Sequence, residues 1–512
     1  HPPEDEGVNA FIHRVGTASI DSSRVEVPFD QVSPPDNEIW TRQTSKELVV
    51  PIGRTGATKL QELAIGKGTR QHALIAGKTG SGKSTLFHVM ITNLALWCSP
   101  DEVEFYLVDF KKGVEFKAYA TRKLPHARVI AIESDREFGL SVLQRVDDEL
   151  RRRGEAFRKL GVQNIANYLQ AGGEGPVPRT LLLIDEFQEL FTEEDKISQD
   201  ASVLLDRIVR QGRAFGIHVI LGSQTLGGAF TLARTTLGQM AIRVALMCDE
   251  SDAYLIMDEN NPAPRLLTRP GEGIYNDMSG KMEGNSPFQV VWLPDEVRDA
   301  QIDRVIAHAK AVNKPLREPV VFEGNVPAEV TENPDLRAAL AAPPGGADSH
   351  APTPIWLGAP NSIKGPSHAL LRRAGGNHLM IVGPRDDAAL SILSIALVSL
   401  CSQFRSADTA RIIYLDATSP DSSENLLLKQ AIEALPRPIE HIRSPDIAPL
   451  LSDLESEFQL RSSEGADGKP PVFFLINNLQ KFKQLRYEDD FSFSMDDDKT
   501  TGAKPGNQLD SI

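Results

Sequence analysis

The chain has 512 residues, 41% hydrophobic and 24% charged, which is enough for roughly two to four domains that each bury a core. Its net charge of −15 excludes a surface that grips nucleic acid everywhere, while leaving room for a local basic channel. Three well-separated cysteines with no CxxC pair, Cys98, Cys248 and Cys401, argue against a disulfide framework or a thiolate metal site and fit a reducing, cytoplasmic compartment.

Residues 1–46 are proline-dotted, with "VSPPDNE" at 32–38, and read as an irregular lead-in. No signal peptide is visible, and the chain begins at His1, so the reading expects further residues ahead of it, with room for an anchor to the inner face of a membrane. Over residues 47–310, apolar runs alternate with amphipathic helical patterns, the mark of an α/β domain with a mostly parallel sheet.

Within that domain, "GKTGSGKS" fits G-x-x-x-x-G-K-[ST] at every position, with "HALIA" as a buried strand before it and "STLFHVMITNLALW" as a helix after it. The glycines let backbone N–H groups turn inward around phosphate oxygens, and the helix N-terminus adds positive potential. Gly77, Lys78, Thr79, Gly80, Ser81, Gly82, Lys83, Ser84 and Thr85 are therefore the expected nucleotide-binding residues. Lys83 would reach the β- and γ-phosphates of ATP, and Ser84 would offer its hydroxyl to Mg²⁺.

"VDFKKGVEF" follows, with Asp109 at a strand end and Lys111 and Lys112 facing phosphate, a translocated polymer or simply water. "DELRRRGEAFRKL" at 148–160 is a basic helical face, and such runs are usually solvated. "RTLLLIDEFQEL" is a buried strand whose C-terminal edge presents Asp185 and Glu186, the edge where open α/β sheets bind ligands. Asp185 is expected to hold the metal through water, and Glu186 to orient the attacking water as base. Gln224, at the end of "HVILGSQT", is placed to sense the γ-phosphate, or to close a turn. Arg243 sits inside the apolar strand "GQMAIRVAL", where an unpaired charge is expensive. It resolves either by reaching across a subunit interface or by an internal pair, with Arg213 as the second candidate.

Residues 311–353, ending in "AALAAPPGGADSHAPTP", read as a Pro/Ala/Gly-rich linker, and a second α/β pattern occupies 354–512. The two patterns match station by station. "VVPIGRTGA" corresponds to "PIWLGAPNS", "HALIAG" to "HLMIVG", "FYLVD" to "IIYLD", and "LLLIDEFQEL" to "VFFLINNLQKF". The second copy lacks the chemistry. Ala389 and Leu390 replace Lys83 and Ser84, Asp386 and Asp387 sit where phosphate would be repelled, and Asn477 and Asn478 replace the acidic pair. A degenerate, pseudo-ATPase module is expected, regulatory or partner-binding in role. "LSILSIALVSL" at 390–400 is too short for a membrane span and suits a core helix of that module. The polar tail "YEDDFSFSMDDDKTTGAKPGNQLDSI" reads as a surface loop, and its "QLDSI" resembles "LLDRI" at 204–208, so the copy is expected to be incomplete.

The elements "HALIAGKTGSGKST", "YLVDFKKGVEF", "LPHARVIAI", "LLLIDEFQEL", "RIVRQGRAFGIHVILGSQT", "GQMAIRVALMCDESDAYLIM" and "RPGEGIYND" together resemble the FtsK/SpoIIIE family of P-loop motors over about residues 48–296. That resemblance implies RecA-like P-loop domains in tandem, a homo-oligomeric, hexameric ring, and ATP hydrolysis with Mg²⁺ that pulls a polymer through it. It also implies Lys83, Ser84, Asp185 and Glu186 in the roles given above, Gln224 as sensor and Arg243 as the trans-acting arginine. Two branches fit. One translocates double-stranded DNA; the other, the EccC-type ATPases of type VII secretion, exports folded protein pairs. "SPDEVEFYLVDFK" and the degenerate later module resemble the secretion branch, whereas "FKKGV" departs from its usual "FKGGA". The expected partner is double-stranded DNA, with secreted protein substrates as the alternative.

Overall fold

A computed structural model describes residues 26–485 apart from 57, 112–114, 228–233, 325–326, 344–350, 444–446 and 466–467. Lys112 and the acidic tail therefore lie outside the described residues. The chain divides into two units, His1–Val326 with Asn361–Ile363, and Pro327–Pro360 with Lys364–Ile512.

The first unit is built on one sheet. Its strands are β1 (Leu48–Thr55), β2 (Lys59–Ile65), β3 (Ala73–Ala76), β4 (Val103–Asp109), β5 (Ala127–Ile132), β6 (Arg179–Asp185), β7 (Ile217–Ser223), β8 (Ile242–Ala245), β9 (Glu272–Asn276), β10 (Asn285–Val290) and β11 (Val320–Glu323). Their spatial order is β11-β5-β4-β6-β7-β3-β8-β9-β10-β1-β2. From β11 to β8 all neighbours are parallel; from β8 to β2 they are antiparallel. The parallel half is buried on both faces, which is why "RTLLLID" and "VEFYLVD" read as continuous runs without alternation.

Helices α1 (Lys83–Trp97) and α5 (Asp295–Ala311) cover one face. Helices α3 (Arg136–Lys159) and α4 (Lys196–Gly212) cover the other, and the short α2 (Lys117–Thr121) bridges β4 and β5. Asp135 and Asp195 cap α3 and α4 by accepting the Phe138 and Ser198 N–H groups, both at 2.9 Å. The basic run in α3 is divided. Arg151 and Arg152 lie at the surface, while Arg153 is buried and bonds Glu104, Glu149, Thr180 and the Phe215 carbonyl.

The first unit runs past the 47–310 span on both sides, by packing on the N-terminal side and by one strand on the other. Residues 26–46, expected as lead-in, contribute Val27, Phe29 and Val32 to the α1-side core. Beyond residue 310, "VVFE" pairs with β5 as β11, because an edge strand needs only one neighbour and "REPVVFEGN" supplies four extended residues.

In the second unit, α6 (Pro334–Ala341) precedes β12 (Thr353–Gly358) and β13 (Ser367–Leu371). Then come α7 (Asp386–Gln403), β14 (Arg411–Asp416), α8 (Ser423–Glu433), β15 (Glu440–Arg443), α9 (Ile447–Glu464) and β16 (Val472–Asn477). Three parallel strands run β15-β14-β16, beside an antiparallel β12-β13 pair. The repeat is legible in the register. β1-β2 slips between Pro51 and Gly53, and β12-β13 slips between Trp356 and Gly358, at corresponding positions. Likewise Asp109 faces Asp185 across β4-β6, and Asp416 faces Asn477 across β14-β16. "HLMIVG" departs from expectation: it forms no strand, and Leu379, Met380, Ile381 and Val382 are exposed. β3 owes its burial to β7 and β8 on either side, and the described residues of the second unit include no counterpart of either. Helix α7, 18 residues long with mean hydropathy 1.3, is long and apolar enough to cross a membrane. It instead packs Leu397, Leu400 and Cys401 against Ile355, Ile412 and Tyr414.

Candidate functional site: a phosphate cradle facing a carboxylate cluster

The cradle stands at a topological switch point. β3 is central, both its neighbours come later in sequence, and its C-terminal end opens into the loop before α1. Gly77 N–H donates to Ser223 O at 3.2 Å and Lys78 N–H to Met247 O at 2.9 Å, fixing the loop's entry between β7 and β8. Gly82 has φ +100°, a left-handed conformation that a side chain would strain, and caps α1. Lys78, Thr79, Gly80, Gly82, Ser84 and Thr85 line a cavity of about 360 Å³ that Lys83 also faces, while Ser81 lies fully buried beneath. The Ser81 carbonyl accepts from Gly271 N–H at 2.8 Å, which ties the loop to the segment leading into β9. Gly271, Gln289 and Trp292 form the opposite wall.

The carboxylates come from the edge of β6. Lys83 Nζ lies between Asp185 Oδ1 and Glu186 Oε1, the latter at 2.9 Å, and all three side chains are buried. β7 can come this close only because residue 222 is glycine: a Cβ there would stand 2.7 Å from Asp185 Oδ1 and 2.5 Å from the Phe87 ring. Glu186 is held in the left-handed region, φ +52°, which turns its carboxylate back over the loop. Its Oε2 accepts from Gln188 Nε2 at 2.8 Å and from the Gln224 N–H at 3.0 Å, and Ser223 Oγ holds Gln188 from behind at 2.7 Å. Gln224 Oε1 accepts from Thr79 Oγ1 at 3.0 Å, so the expected sensor bridges the cradle and the acidic strand.

The acids are not equivalent. Burial pushes Asp109 up to about 7, aided by its neighbours Asp185 and Glu115. Burial also raises Asp185, against the pull of Lys83. Glu186 is burdened by burial too, but Lys83, Gln188 and the Gln224 N–H outweigh it and hold Glu186 below the usual carboxylate range. Glu186 is therefore kept ionised at neutral pH.

One site residue escaped the sequence reading. Ser84 Oγ donates to Glu115 Oε1 at 2.9 Å, and Glu115 Oε2 faces His88 Nε2 at 3.4 Å. The "FKKGVEF" segment drew notice for its lysines; Lys111 does line the cavity, but Glu115 is the side chain that reaches α1. Magnesium takes hard oxygen donors. Ser84 and Asp185 offer only oxygens, and Asp109 Oδ2 is buried beside them with no hydrogen-bond partner, so these residues fit that ion.

Arg243 takes the internal one of the two resolutions its place in an apolar strand allows. Its guanidinium is buried and donates to the main-chain carbonyls of Met240 (2.7 Å), Ile256 (2.8 Å) and Leu237 (3.0 Å). These three bonds close turns of its own unit. Arg213 is exposed, on the turn before β7 and at the sheet edge away from the cradle.

The second copy keeps the scaffold without the cradle. α7 begins at Asp386, so only Pro384 and Arg385 separate it from Gly383, and Arg385 pairs with Asp387 at its first turn. Asn478 retains the left-handed backbone of Glu186, φ +58°, but Asn477 Nδ2 donates to Thr418 Oγ1 at 3.2 Å where an acidic pair would stand.

Comparison with known proteins places this architecture. The FtsK/SpoIIIE family model matches residues 37–227. The ESX secretion system protein EccC of Geobacillus thermodenitrificans is 32% identical over 258 residues, 49% of this chain and 17% of its own length. A DNA translocase FtsK of Streptococcus agalactiae is 28% identical over 300 residues, 56% of this chain and 35% of its own. This chain thus spans about a sixth to a third of the curated relatives it matches. Among solved structures, the cytoplasmic domain of the Thermomonospora curvata type VII secretion ATPase EccC aligns with TM-score 0.63 and 21% identity, covering 90% of this chain and 57% of that one. ATPases 2 and 3 of the same protein, in complex with a signal sequence peptide, align with TM-score 0.58 and 18% identity over 95% and 84%. The fold is accordingly RecA-like, in tandem.

Proposed function

We propose, starting from the FtsK/SpoIIIE-family domain that this chain contains, that its first unit hydrolyses ATP and that the second is a silent copy. The carrying observation is Lys83 set between Asp185 and Glu186, at the mouth of a glycine-turned loop that opens helix α1. Lys83 would draw the β- and γ-phosphates into the cradle, aided by the N–H groups of the loop and the helix dipole. Ser84 and Asp185 would hold Mg²⁺, whose positive charge offsets that building on the transferred phosphoryl oxygens. Glu186, ionised and fixed by Gln188 and the Gln224 N–H, orients and polarises the attacking water. Gln224 couples that base to Thr79 on the cradle, a link suited to sensing the γ-phosphate. The second unit, with a shortened loop, two acids at its helix start and asparagines at the sheet edge, supports neither step.

We infer protein rather than DNA as the cargo, with the chain acting as a ring-forming motor of type VII secretion on the cytoplasmic side of the membrane. By sequence the EccC and FtsK relatives cover similar shares of this chain, 49% and 56%, but the fold match to EccC extends over 90% of it. Two ATPase-like units in tandem are thus a pattern the EccC likeness accounts for across nearly the whole sequence. The DNA reading rests on the translocase relatives. ATPase rate, measured alone, with duplex DNA and with a secretion-signal peptide, and with Lys83→Ala as control, decides between them. Peptide stimulation supports export. Stimulation by DNA with steep salt dependence would sink it.

A further inference from the structure

Three residues on α1, Ser84, His88 and Thr92, are spaced by four and share one face of the helix. Glu115 and Tyr119, also four apart, meet that face rung by rung. Ser84 Oγ donates to Glu115 at 2.9 Å, and His88 lies between Glu115 Oε2 (3.4 Å) and Tyr119 Oη (2.9 Å). Tyr119 Oη in turn lies 3.3 Å from Thr92 Oγ1. The set is satisfied with Nε2–H of His88 toward the carboxylate and Nδ1 accepting from Tyr119. Tyr119 and Thr92 are buried and Phe116 packs edge-on against Phe87 and His88, so the far end of the chain of bonds is rigid.

We propose that Glu115 is a positioning residue of the magnesium site, acting through the Ser84 hydroxyl; the inference rests on the ATP-site reading above. A hydroxyl has one proton and two lone pairs. With its proton committed to Glu115, Ser84 turns both lone pairs away from the carboxylate and toward the cavity, the orientation a metal ligand requires. Such outer partners commonly set metal affinity by about 10–100-fold. His88 and Tyr119 hold the carboxylate in place.

The test is Mn²⁺ binding to the complex of the full chain with ADP, read by electron paramagnetic resonance, beside ADP affinity in EDTA and thermal stability. Glu115→Ala should weaken Mn²⁺ by about tenfold or more and leave ADP affinity in EDTA and the melting temperature unchanged. Glu115→Gln, which keeps a carbonyl acceptor, should recover part of the loss. In a Ser84→Ala background, Glu115→Ala should add nothing. Unchanged Mn²⁺ affinity, additive effects of the two substitutions, or a glutamine variant no better than alanine each overturn the proposal. Absence of ADP binding by the parent chain would instead overturn the ATP-site reading, and that shows before any variant is made.

Discussion

Replacing Asp109 by asparagine should stabilise the protein, by an amount that grows with pH. Asp109 ends β4 beside Asp185 and is fully buried, and that burial raises its pKa from 3.8 to about 7. Because the folded value is the higher one, the native state binds more protons than the unfolded chain between the two values. Stability falls as pH rises through that window and levels off above it. At 1.36 kcal/mol per unit, the penalty is about 2 kcal/mol at pH 5 and about 4 kcal/mol at pH 8. Asparagine carries no charge, and its Oδ1 can still accept the Lys111 N–H bond that Asp109 accepts at 2.9 Å. The gain of Asp109→Asn over the parent should therefore rise by about 2–3 kcal/mol from pH 5 to pH 8, or about 5–10 °C in melting temperature. Urea and thermal unfolding of both proteins in EDTA, without nucleotide, at pH 5, 6.5 and 8 measures the difference; titrating groups remote from Asp109 cancel in the comparison. A difference that stays flat with pH, or that shrinks toward pH 8, would refute the assignment of a proton to this buried carboxyl.

Four further outcomes are expected. Glu186→Gln should keep ATP affinity and lose about 10²–10⁴-fold in turnover, measured by phosphate release; an unchanged rate would put the base elsewhere. Arg243→Ala should lower the melting temperature even in dilute, unassembled chain, by about 3 kcal/mol or more, since three carbonyls lose a charged donor. Full stability with lost turnover would restore a trans-acting role to that arginine. Lys83→Ala should take the stoichiometry of Mg-ATP, read by equilibrium dialysis, from one per chain to none, and a surviving site would show that the second unit binds nucleotide. Asp416 behaves opposite to Asp109: burial opposes its charge, but His441 and Thr418 hold it below the usual range. Its contribution is present above the unfolded pKa and lost as pH falls, so Asp416→Asn should destabilise at neutral pH and progressively less toward acid, by urea unfolding.

What sequence made legible was whatever is encoded locally. The loop from Gly77 to Thr85 and the buried run ending at Asp185 and Glu186 each declare themselves in fewer than a dozen contiguous residues, because turn geometry, helix start and strand burial all depend on near neighbours. Glu115 did not, since its partner Ser84 lies 31 residues away and only the packing of α2 against α1 joins them. Arg243 left two resolutions open for a related reason. A lone charge in an apolar strand signals that some partner exists, but three main-chain carbonyls have no signature in side-chain identity.

The repeat carries the same lesson into energetics. "HALIA" and "HLMIVG" have nearly the same apolar pattern, yet one is a buried central strand and the other an exposed segment that joins no strand. Pattern specifies a face that can be buried; neighbours decide whether it is, and β3 has two that the described residues of the second unit do not supply. Conversely, the left-handed turn persists at Asn478 after the glutamate of the first copy has gone. Asparagine tolerates that conformation better than most residues, so the backbone can outlive its catalytic use at little cost. The bulge at Gly53 and Gly358, the facing of Asp109 with Asp185 and of Asp416 with Asn477, and this turn are all main-chain features. Such features depend on neighbouring backbone more than on any one side chain, so the second unit can keep them while its loop and sheet-edge chemistry differ from the first.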